Sequence, residues 1–142
     1  MARATVLIVE DSPAISEPLA DAFRFSSFAV LQAANAVQAL QLASEHRPDL
    51  IIMDIQLPDL DGISAALTLK GDPETRHIPI VAMTAYDIAG DQARTLSKVC
   101  VAYCQKPIRP RDLVNLVTAI LKLPPESPPA ARRPSPARPP GR

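Results

Sequence analysis

The sequence predicts an α/β fold, in which one parallel sheet of five strands has helices packed on both of its faces. Short apolar runs, several of them rich in β-branched side chains, recur along the chain and alternate with segments of helical apolar spacing. A continuous apolar run is typical of a strand that is buried on both faces, as strands of parallel sheets are. The alternation of strands and helices therefore favours a parallel sheet with helices on both sides.

Five segments are predicted as strands. Thr5–Val9, Leu50–Met53 and Ile78–Met83 are predominantly apolar runs, and a polar side chain follows each of them. Phe28–Gln32 is a weaker strand, and Val101–Gln105 is the fifth. No dinucleotide-binding glycine pattern accompanies them, so we expect the strand order 2-1-3-4-5 of the flavodoxin-like fold.

The first two helices are predicted from their capping residues. Ser12 and Pro13 suit the start of the first helix, whose apolar stripe is Ile15, Leu19, Ala22 and Phe23. Pro18 is expected to kink this helix or to remove one of its hydrogen bonds. Asn35 can cap a second helix that extends to about His46, with inward side chains at Val37, Leu40 and Ala43.

The remaining three helices differ in the clarity of their patterns. The third is predicted from about Ile63 to Lys70, with one face formed by Ile63, Ala66 and Leu67. The fourth, over Ile88–Lys98, is polar and weakly patterned. The fifth begins at Pro110 and has the clearest amphipathic stripe, which consists of Leu113, Leu116, Val117, Ile120 and Leu121.

Composition excludes several classes of function. The chain has 142 residues, 47% of them hydrophobic, and a formal net charge of zero, which argues against a nucleic-acid coat. No apolar run is long enough to span a membrane, and the N-terminus has no signal-peptide pattern. Cys100 and Cys104 cannot form a disulfide scaffold or a common zinc motif. A reducing, cytoplasmic setting is therefore expected.

The last 19 residues differ sharply from the rest of the chain. They contain eight of the 16 prolines and four arginines against one acid, Glu126, and no aliphatic residue larger than alanine. Such a segment has too little apolar surface to offset the entropy of ordering. We therefore predict one domain over residues 1–123, with more acids than bases, followed by a disordered basic tail over residues 124–142.

Polar residues follow four of the predicted strands. Glu10 and Asp11 follow the first, Asp54 the third, Thr84 the fourth and Lys106 the fifth. Ligands bind at the carboxyl ends of the strands in such sheets, and these four strands are neighbours in the expected order. Each residue alone has an ordinary structural explanation, such as helix capping or the end of a strand. Together they predict a cleft with three carboxylates, one hydroxyl and one ammonium.

This set of side chains favours phosphoryl-transfer chemistry. Clustered carboxylates repel one another, and Mg²⁺ relieves that repulsion with one or two carboxylates, a backbone carbonyl and waters as ligands. Lys106 supplies a second positive charge, and Thr84 can donate to a phosphoryl oxygen. Asp54 is the expected nucleophile, because its strand lies between the first and the fourth.

The chain resembles the response-regulator receiver domain of two-component phosphorelays over about residues 3–123. Four motifs carry the resemblance: VEDSP at 9–13, LIIMDIQLPDLDG at 50–62, HIPIVAMTA at 77–85 and YCQKPI at 103–108. Their order and spacing are most similar to stand-alone or hybrid-kinase receivers of the cell-division regulator type. The chain departs from the family pattern at Val99, where glycine is frequent, and at Val101, which is usually polar.

The resemblance implies roles for the residues of the cleft. Asp54 would be the phosphoacceptor, and Asp11 and Asp54 would bind Mg²⁺ directly, with the backbone carbonyl of Gln56. Glu10 would act through metal-bound water. Lys106 would contact the phosphoryl group.

The same resemblance implies a conformational switch. Thr84 would be the switch hydroxyl, Ala85 the small residue that leaves room for the phosphoryl group, and Tyr103 the aromatic rotamer switch. The bond between Lys106 and Pro107 is one that the family usually keeps cis.

The expected function is therefore phosphoacceptor signalling and not enzymatic turnover of a substrate. The resemblance implies a sensor histidine kinase or histidine phosphotransfer protein as phosphodonor. It also implies a downstream protein that binds the face formed by helix 4, strand 5 and helix 5, without direct nucleic-acid binding or membrane insertion. Three alternatives stay open at this point: a receiver from a longer hybrid kinase or DNA-binding regulator, a pseudo-receiver, and a Mg²⁺-dependent aspartyl-phosphate hydrolase. Gln56 argues against the hydrolase, because that family places a second Asp there.

Overall fold

The computed structural model describes residues 2–85 and 90–124. Strands and helices alternate throughout. Five strands are present in these residues: β1 (Thr5–Val9), β2 (Ala29–Ala33), β3 (Leu50–Asp54), β4 (Ile80–Thr84) and β5 (Ala102–Gln105). Five helices accompany them: α1 (Pro13–Phe25), α2 (Ala36–His46), α3 (Gly62–Gly71), α4 (Gly90–Val99) and α5 (Pro110–Ile120).

The sheet is parallel, and its strand order is β2-β1-β3-β4-β5, which confirms the expected order. Val9 pairs with Met53, Asp54 with Met83, and Thr84 with Gln105. These registers align the carboxyl ends of the four strands that carry the predicted polar residues. The switch point of the sheet lies between β1 and β3, where chain connections depart in opposite directions.

The boundaries of β2, β3, β4 and β5 differ from the sequence prediction, and β2, β3 and β4 each end one residue later than predicted. β2 begins at Ala29 and β5 at Ala102, one residue later than predicted in each case. β4 begins at Ile80 and not at Ile78, because the Ile78 amide donates to the Thr75 carbonyl in a turn. Pro79 follows and has no amide hydrogen for a ladder bond. Apolar character at Ile78 therefore marked a buried turn and not the strand itself.

Two predicted helix faces were wrong. Val37 of α2 is 65% exposed and Leu67 of α3 is 49% exposed. The buried side chains of these helices are small apart from Leu69: Ala36, Ala39, Ala43, Gly62, Ala65 and Ala66. Bulky residues already project from this face of the sheet, including Leu7, Ile51 and Met53. The helices therefore pack through their alanines, and their larger residues point outward.

The other face of the sheet is packed differently. Here α1 and α5 contribute large side chains, including Leu19, Phe23, Leu113 and Val117, against Val6, Ile8 and Ile52 of the sheet. The Phe23 and Phe28 rings meet edge to face, with centroids 5.2 Å apart. Helix α1 continues through Pro18, whose side chain is exposed. The predicted stripes of α1 and α5 agree with this core.

Two predictions fall partly outside the described residues. The fourth helix was predicted from Ile88, and the described part begins at Gly90 and ends at Val99. The predicted disordered tail begins at Pro124, which is described, and residues 125–142 are not. Among the described residues, no helix has the length and apolar character needed to cross a membrane.

Candidate functional site

Three carboxylates meet at the carboxyl edge of the sheet. Glu10 and Asp11 follow β1, Asp54 ends β3, and one oxygen from each lies within 4.8 Å of the others. Glu10 and Asp54 are buried, whereas Asp11 is exposed and forms the outer wall of the cluster. The predicted juxtaposition is thus present, and it follows from the pairing of β1 with β3.

Backbone amides orient the two buried carboxylates. The Gln56 amide donates to Asp54 Oδ1 at 2.9 Å, and the Ser12 amide donates to Glu10 Oε2 at 3.2 Å. Both donors lie two residues after the acid that they contact, where the chain turns away from the strand. Each turn therefore holds its own carboxylate toward the centre of the cluster.

Lys106 enters the cluster from the end of β5. Its Nζ lies 2.7 Å from Glu10 Oε1 and 2.9 Å from Asp54 Oδ2, and its side chain is only 15% exposed. The Lys106 amide donates to the Thr84 carbonyl at 2.7 Å, which ties this residue to β4. The following bond, to Pro107, is cis as expected. Lys106 thus bridges two acids from different strands.

Burial and charge shift the pKa values of this cluster. Burial raises the pKa of Glu10, and the nearby Asp54 charge raises it further, against the opposing effect of Lys106. Burial lowers the pKa of Lys106, but its contacts with Glu10 and Asp54 outweigh burial and raise it overall. Lys106 therefore stays charged, and its ammonium contacts two of the three carboxylates, Glu10 and Asp54.

The donor set fits a hard divalent cation. Three carboxylates and one ammonium leave an excess negative charge in a partly buried cluster. The carboxylate oxygens lie close enough to one another to share one ion. Mg²⁺ favours oxygen ligands from one or two carboxylates and keeps several waters. The exposed position of Asp11 leaves one side of the cluster open to solvent, from which an ion and its waters can enter.

The predicted switch residues occupy neighbouring strands. Thr84 ends β4 and is buried beside the site, whereas Ala85 is exposed at the start of the following loop. Tyr103 pairs with Ala82 and its side chain is 48% exposed, so it lies outside the carboxylate cluster. The structure thus brings Glu10, Asp11, Asp54 and Lys106 together, with Thr84 adjacent and Tyr103 apart. Gln56 joins the site through its backbone.

Gly62 is the last residue of the motif at 50–62, and no role was predicted for it from the sequence. Its amide donates to the Ile55 carbonyl at 2.8 Å, which closes the loop after β3. A Cβ at this position would lie 2.4 Å from Ile55 Cα and 2.5 Å from the Asp54 carbonyl oxygen. Only glycine permits this approach, which places α3 directly against the backbone of Asp54. The available signal was a glycine directly before a helical pattern.

Asp59 was not predicted as a functional residue. Its carboxylate accepts hydrogen bonds from the Ala36 amide at 2.9 Å and from the Val37 amide at 3.0 Å, both at the start of α2. These amides lower the pKa of Asp59, and burial opposes them. No sequence signal identified this contact, because it joins residues that are 22 and 23 positions apart.

Comparison with known proteins agrees with this geometry. The family model of the response regulator receiver domain matches residues 6–118. The polar-differentiation response regulator DivK of Brucella anthropi is 40% identical over 117 residues, which cover 82% of this chain and 95% of DivK.

Solved structures show the same similarity. The receiver domain of a sensor histidine kinase from Pseudomonas aeruginosa aligns with a TM-score of 0.77 and 30% identity, covering 85% of this chain and 99% of that chain. That structure is described with a magnesium ion coordinated in its active site cleft. A CheY-like receiver domain protein from Methanospirillum hungatei aligns with a TM-score of 0.77 and 25% identity, covering 83% of this chain and 93% of that chain.

These matches cover most of the chain and nearly all of each relative. They agree with the parallel sheet and its strand order. The chain therefore belongs to the response-regulator receiver domain family, and it acts as the receiver domain of a response regulator in two-component signalling.

Proposed function

We propose that the chain accepts a phosphoryl group on Asp54 from a phosphohistidine of a sensor histidine kinase or a histidine phosphotransfer protein. The observation that carries this proposal is the position of Asp54, whose buried carboxylate lies between Lys106 and two further acids. Its phosphorylation would take place at the rim of the sheet, where a protein donor can approach.

The transfer is a substitution at phosphorus. A carboxylate oxygen of Asp54 forms a bond to phosphorus, while the bond from phosphorus to the histidine nitrogen breaks. The imidazole leaves with that electron pair, and it leaves as a neutral ring when its other nitrogen carries a proton during the transfer. Lys106, at 2.9 Å from Asp54 Oδ2, can move to a phosphoryl oxygen and offset its charge.

Asp11, Asp54 and the backbone carbonyl of Gln56 are the proposed Mg²⁺ ligands, with Glu10 acting through a metal-bound water. Mg²⁺ would offset the negative charge that accumulates when a phosphoryl group approaches three carboxylates. The carboxylate oxygens within 4.8 Å of one another support this set. Their mutual repulsion is what the cation relieves, so binding should also stabilise the fold.

The proposed response to phosphate uses Thr84 and Tyr103. The Thr84 hydroxyl would donate to a phosphoryl oxygen, and the Tyr103 ring would then move from its exposed position toward the space near β4. Adjacent strands carry the two residues, and Tyr103 is 48% exposed, which supports a ring free to change rotamer. Phosphate would shift the population between two arrangements and need not create a new one.

The proposed output is a protein–protein contact. The face formed by α4, β5 and α5 exposes Val101 and Tyr103, at 55% and 48%, beside two helices. Exposed apolar side chains of this kind suit a protein partner. We propose no turnover of an external substrate, since the chain itself is the phosphoryl acceptor and assists its own dephosphorylation. A reducing cytoplasm is the proposed compartment, and it suits the free thiols of Cys100 and Cys104.

A small-molecule phosphodonor tests the acceptor without its kinase. Wild type incubated with the donor and Mg²⁺ should gain one phosphoryl group by intact mass, and a chelator should prevent the gain. Asp54→Asn should gain none, whereas the matched control Asp61→Asn, in the same loop, should be labelled like wild type. Undiminished labelling of Asp54→Asn would exclude Asp54 as the acceptor.

Two further variants test the metal set and the switch. Asp11→Ala should fold yet bind Mg²⁺ more weakly, and wild-type affinity would place the metal elsewhere. Thr84→Ala should accept phosphate but show smaller phosphate-induced NMR shifts at Tyr103. Equal shifts in Thr84→Ala and wild type would contradict the coupling of the two residues.

A further inference from the structure

The loop between β3 and α3 is tied to α2 by one carboxylate. This loop, residues 55–61, follows Asp54 directly and contains Gln56. Asp59 Oδ1 accepts the Ala36 amide at 2.9 Å and the Leu60 amide at 3.0 Å, and Asp59 Oδ2 accepts the Val37 amide at 3.0 Å. The carboxylate therefore joins the loop to the first turn of a helix that is remote in sequence.

Helix α2 already has a cap of its own. The Asn35 side chain accepts the Gln38 amide at 2.8 Å, and Gln38 Oε1 accepts the Ala34 amide at 2.9 Å. This pair is a variant of the capping box, in which the glutamine accepts the amide one residue before the N-cap and not that of the N-cap itself. Asp59 accepts the first two amides of the same turn, those of Ala36 and Val37, so the start of the helix is held from two sides. Because α2 already has a cap, the main effect of the Asp59 contact is to constrain the loop.

The rest of the loop is fastened mainly at its two ends. At its start, the Gln56 amide donates to Asp54 Oδ1, and at its end the Gly62 amide donates to the Ile55 carbonyl. Leu57 packs against the core, whereas Gln56 is exposed. Asp59 supplies the polar link from the middle of the loop to another element. Without the Asp59 contact, the peptide groups after Gln56 would no longer be restrained against α2.

We propose that Asp59 is a positioning residue that holds the loop against α2, so that the backbone carbonyl of Gln56 is kept in place for Mg²⁺. The proposal rests on the proposed function, because it takes the Gln56 carbonyl as a metal ligand. Asp59 itself touches neither the metal nor the phosphoryl group. It restricts the loop before the ion binds, and this restriction lowers the entropic cost of ordering the loop on binding.

Loss of the tether should weaken Mg²⁺ binding more than it weakens the fold. Residues that orient metal ligands typically change metal affinity by factors of 10 to 100 when they are replaced. Because the carbonyl of Gln56 is one ligand among several, we expect Asp59→Ala to bind Mg²⁺ about tenfold more weakly than wild type. Asp59→Asn keeps one acceptor oxygen and should show an intermediate loss.

Asp61 provides a matched control. It lies in the same loop and its carboxylate accepts the Ser64 amide at 2.8 Å and the Ser64 hydroxyl at 3.0 Å, so it caps α3 locally. Asp61→Ala removes a helix cap and one negative charge, as Asp59→Ala does, but it leaves the link to α2 intact. A general effect of charge or of helix capping would therefore weaken Mg²⁺ binding equally in both variants.

The experiment is a Mg²⁺ titration of full-length wild type and the two alanine variants, followed by amide NMR. Melting temperature without metal is measured in parallel. Wild type and Asp61→Ala should bind with affinities within about twofold of each other. Their Ala36 and Val37 amide resonances should shift as Mg²⁺ is added. Asp59→Ala should bind about tenfold more weakly, and its Ala36 and Val37 resonances should no longer respond.

Three outcomes would overturn the proposal. The first is that Asp59→Ala binds Mg²⁺ like wild type. The second is that Asp61→Ala loses as much affinity as Asp59→Ala. The third is that the α2 amides respond to Mg²⁺ equally in the two variants. In each case the Asp11→Ala variant shows whether the metal site itself or only the role of Asp59 is wrong. If Asp11→Ala still weakens binding, the metal site stands and only the role of Asp59 is wrong. If Asp11→Ala binds like wild type, the proposed metal set fails with it.

Discussion

The two ends of the sheet use charge in opposite ways. At the carboxyl edge, Glu10, Asp11 and Asp54 face one another, and Glu10 and Asp54 share Lys106 as their cation. At the amino edge, several charged side chains contact neutral backbone groups instead, alongside one exposed ion pair between Arg47 and Glu74. Arg3 donates to the Ser26 and Pro124 carbonyls, Asp49 accepts the Thr5 amide at 2.8 Å, and Lys70 donates to the Arg76 and Ile78 carbonyls.

This difference separates structural charge from functional charge. At the amino edge, each of these contacts joins a charged side chain to a backbone group near the start of a strand or the end of the described chain. At the carboxyl edge, three acids are held together by the register of β1 and β3 against their own repulsion. Charge that is matched by backbone groups fastens the fold, whereas charge that opposes like charge creates a need for a ligand.

The largest expected effect comes from the shared cation of the carboxyl edge. Lys106→Met would leave Glu10 and Asp54 buried beside each other without a counter-charge, and loss of one partner from a buried ion pair typically costs about 3 kcal/mol or more. Urea unfolding in chelator should show that loss, and Mg²⁺ should recover part of it. A variant as stable as wild type in chelator would show that the carboxylates relax apart.

Steric contact at the same edge gives the next effect. Gly62→Ala places a methyl group 2.4 Å from Ile55 Cα, against backbone that cannot rotate away. Overpacking of this kind costs about 2 kcal/mol. Thermal unfolding should show the loss, and the control Gly71→Ala should not, since nothing lies within 4 Å of a Cβ there. Equal stability of the two variants would mean that α3 shifts freely.

The amino edge should respond more weakly and without regard to metal. Arg3→Met removes the bonds to Ser26 and Pro124 and the guanidinium that lies 5.1 Å from the Phe28 ring centroid. A loss of about 1 kcal/mol is expected, because partly exposed hydrogen bonds contribute about that much. The loss should be equal in Mg²⁺ and in chelator. A loss that changes with Mg²⁺ would show that the two edges are energetically coupled.

The two cysteines lie on opposite faces of the sheet, and burial raises the pKa of each thiol. Burial raises the pKa of Cys100 to about 11, with a small opposing effect of Lys70, and burial also raises that of Cys104. Cys100 packs on the α3 and α4 side and Cys104 on the α1 and α5 side, so an intramolecular disulfide is not expected. Alkylation of Cys100 should be slow at pH 8 and should rise toward about pH 11.

Stability should follow the same pKa shift with a definite sign. A thiol whose pKa is raised by folding stabilises the folded state below its unfolded pKa of about 9, and this contribution is lost as the pH rises through about 11. Denaturant unfolding of wild type and Cys100→Ala between pH 8 and 11 measures it. Parallel pH profiles would show that the Cys100 thiol is not desolvated in the folded protein.

The smallest effect is expected from removal of residues 125–142. Pro124, the last described residue, accepts a bond from Arg3 at the amino edge, which is the end of the sheet opposite the carboxylates. A chain that ends at Pro124 should keep the melting temperature and the phosphodonor labelling of the full chain. A large loss of either would show that these residues dock on the domain, and the tail prediction would be wrong.

Several features could be predicted from the sequence because they depend on local chemistry. Buried strands require continuous apolar runs, and such runs identified β1, β3 and most of β4 within one or two residues. Parallel pairing brings the carboxyl ends of strands to one edge, so the polar residues that follow those runs identified Glu10, Asp11, Asp54 and Lys106 as a cluster. No knowledge of side-chain packing was needed for either inference.

Other features depended on contacts between elements that no local pattern encodes. The buried faces of α2 and α3 were mispredicted at Val37 and Leu67, because the large side chains of the sheet left room only for alanines. The Asp59 contact with α2 and the steric requirement at Gly62 likewise arise where separate elements meet. The sequence by itself thus determined which residues form strands and which polar groups share an edge. Only the tertiary structure decided which helix faces are buried and how the loop after Asp54 is held, because those depend on the volumes and hydrogen-bonding groups of neighbours distant in sequence.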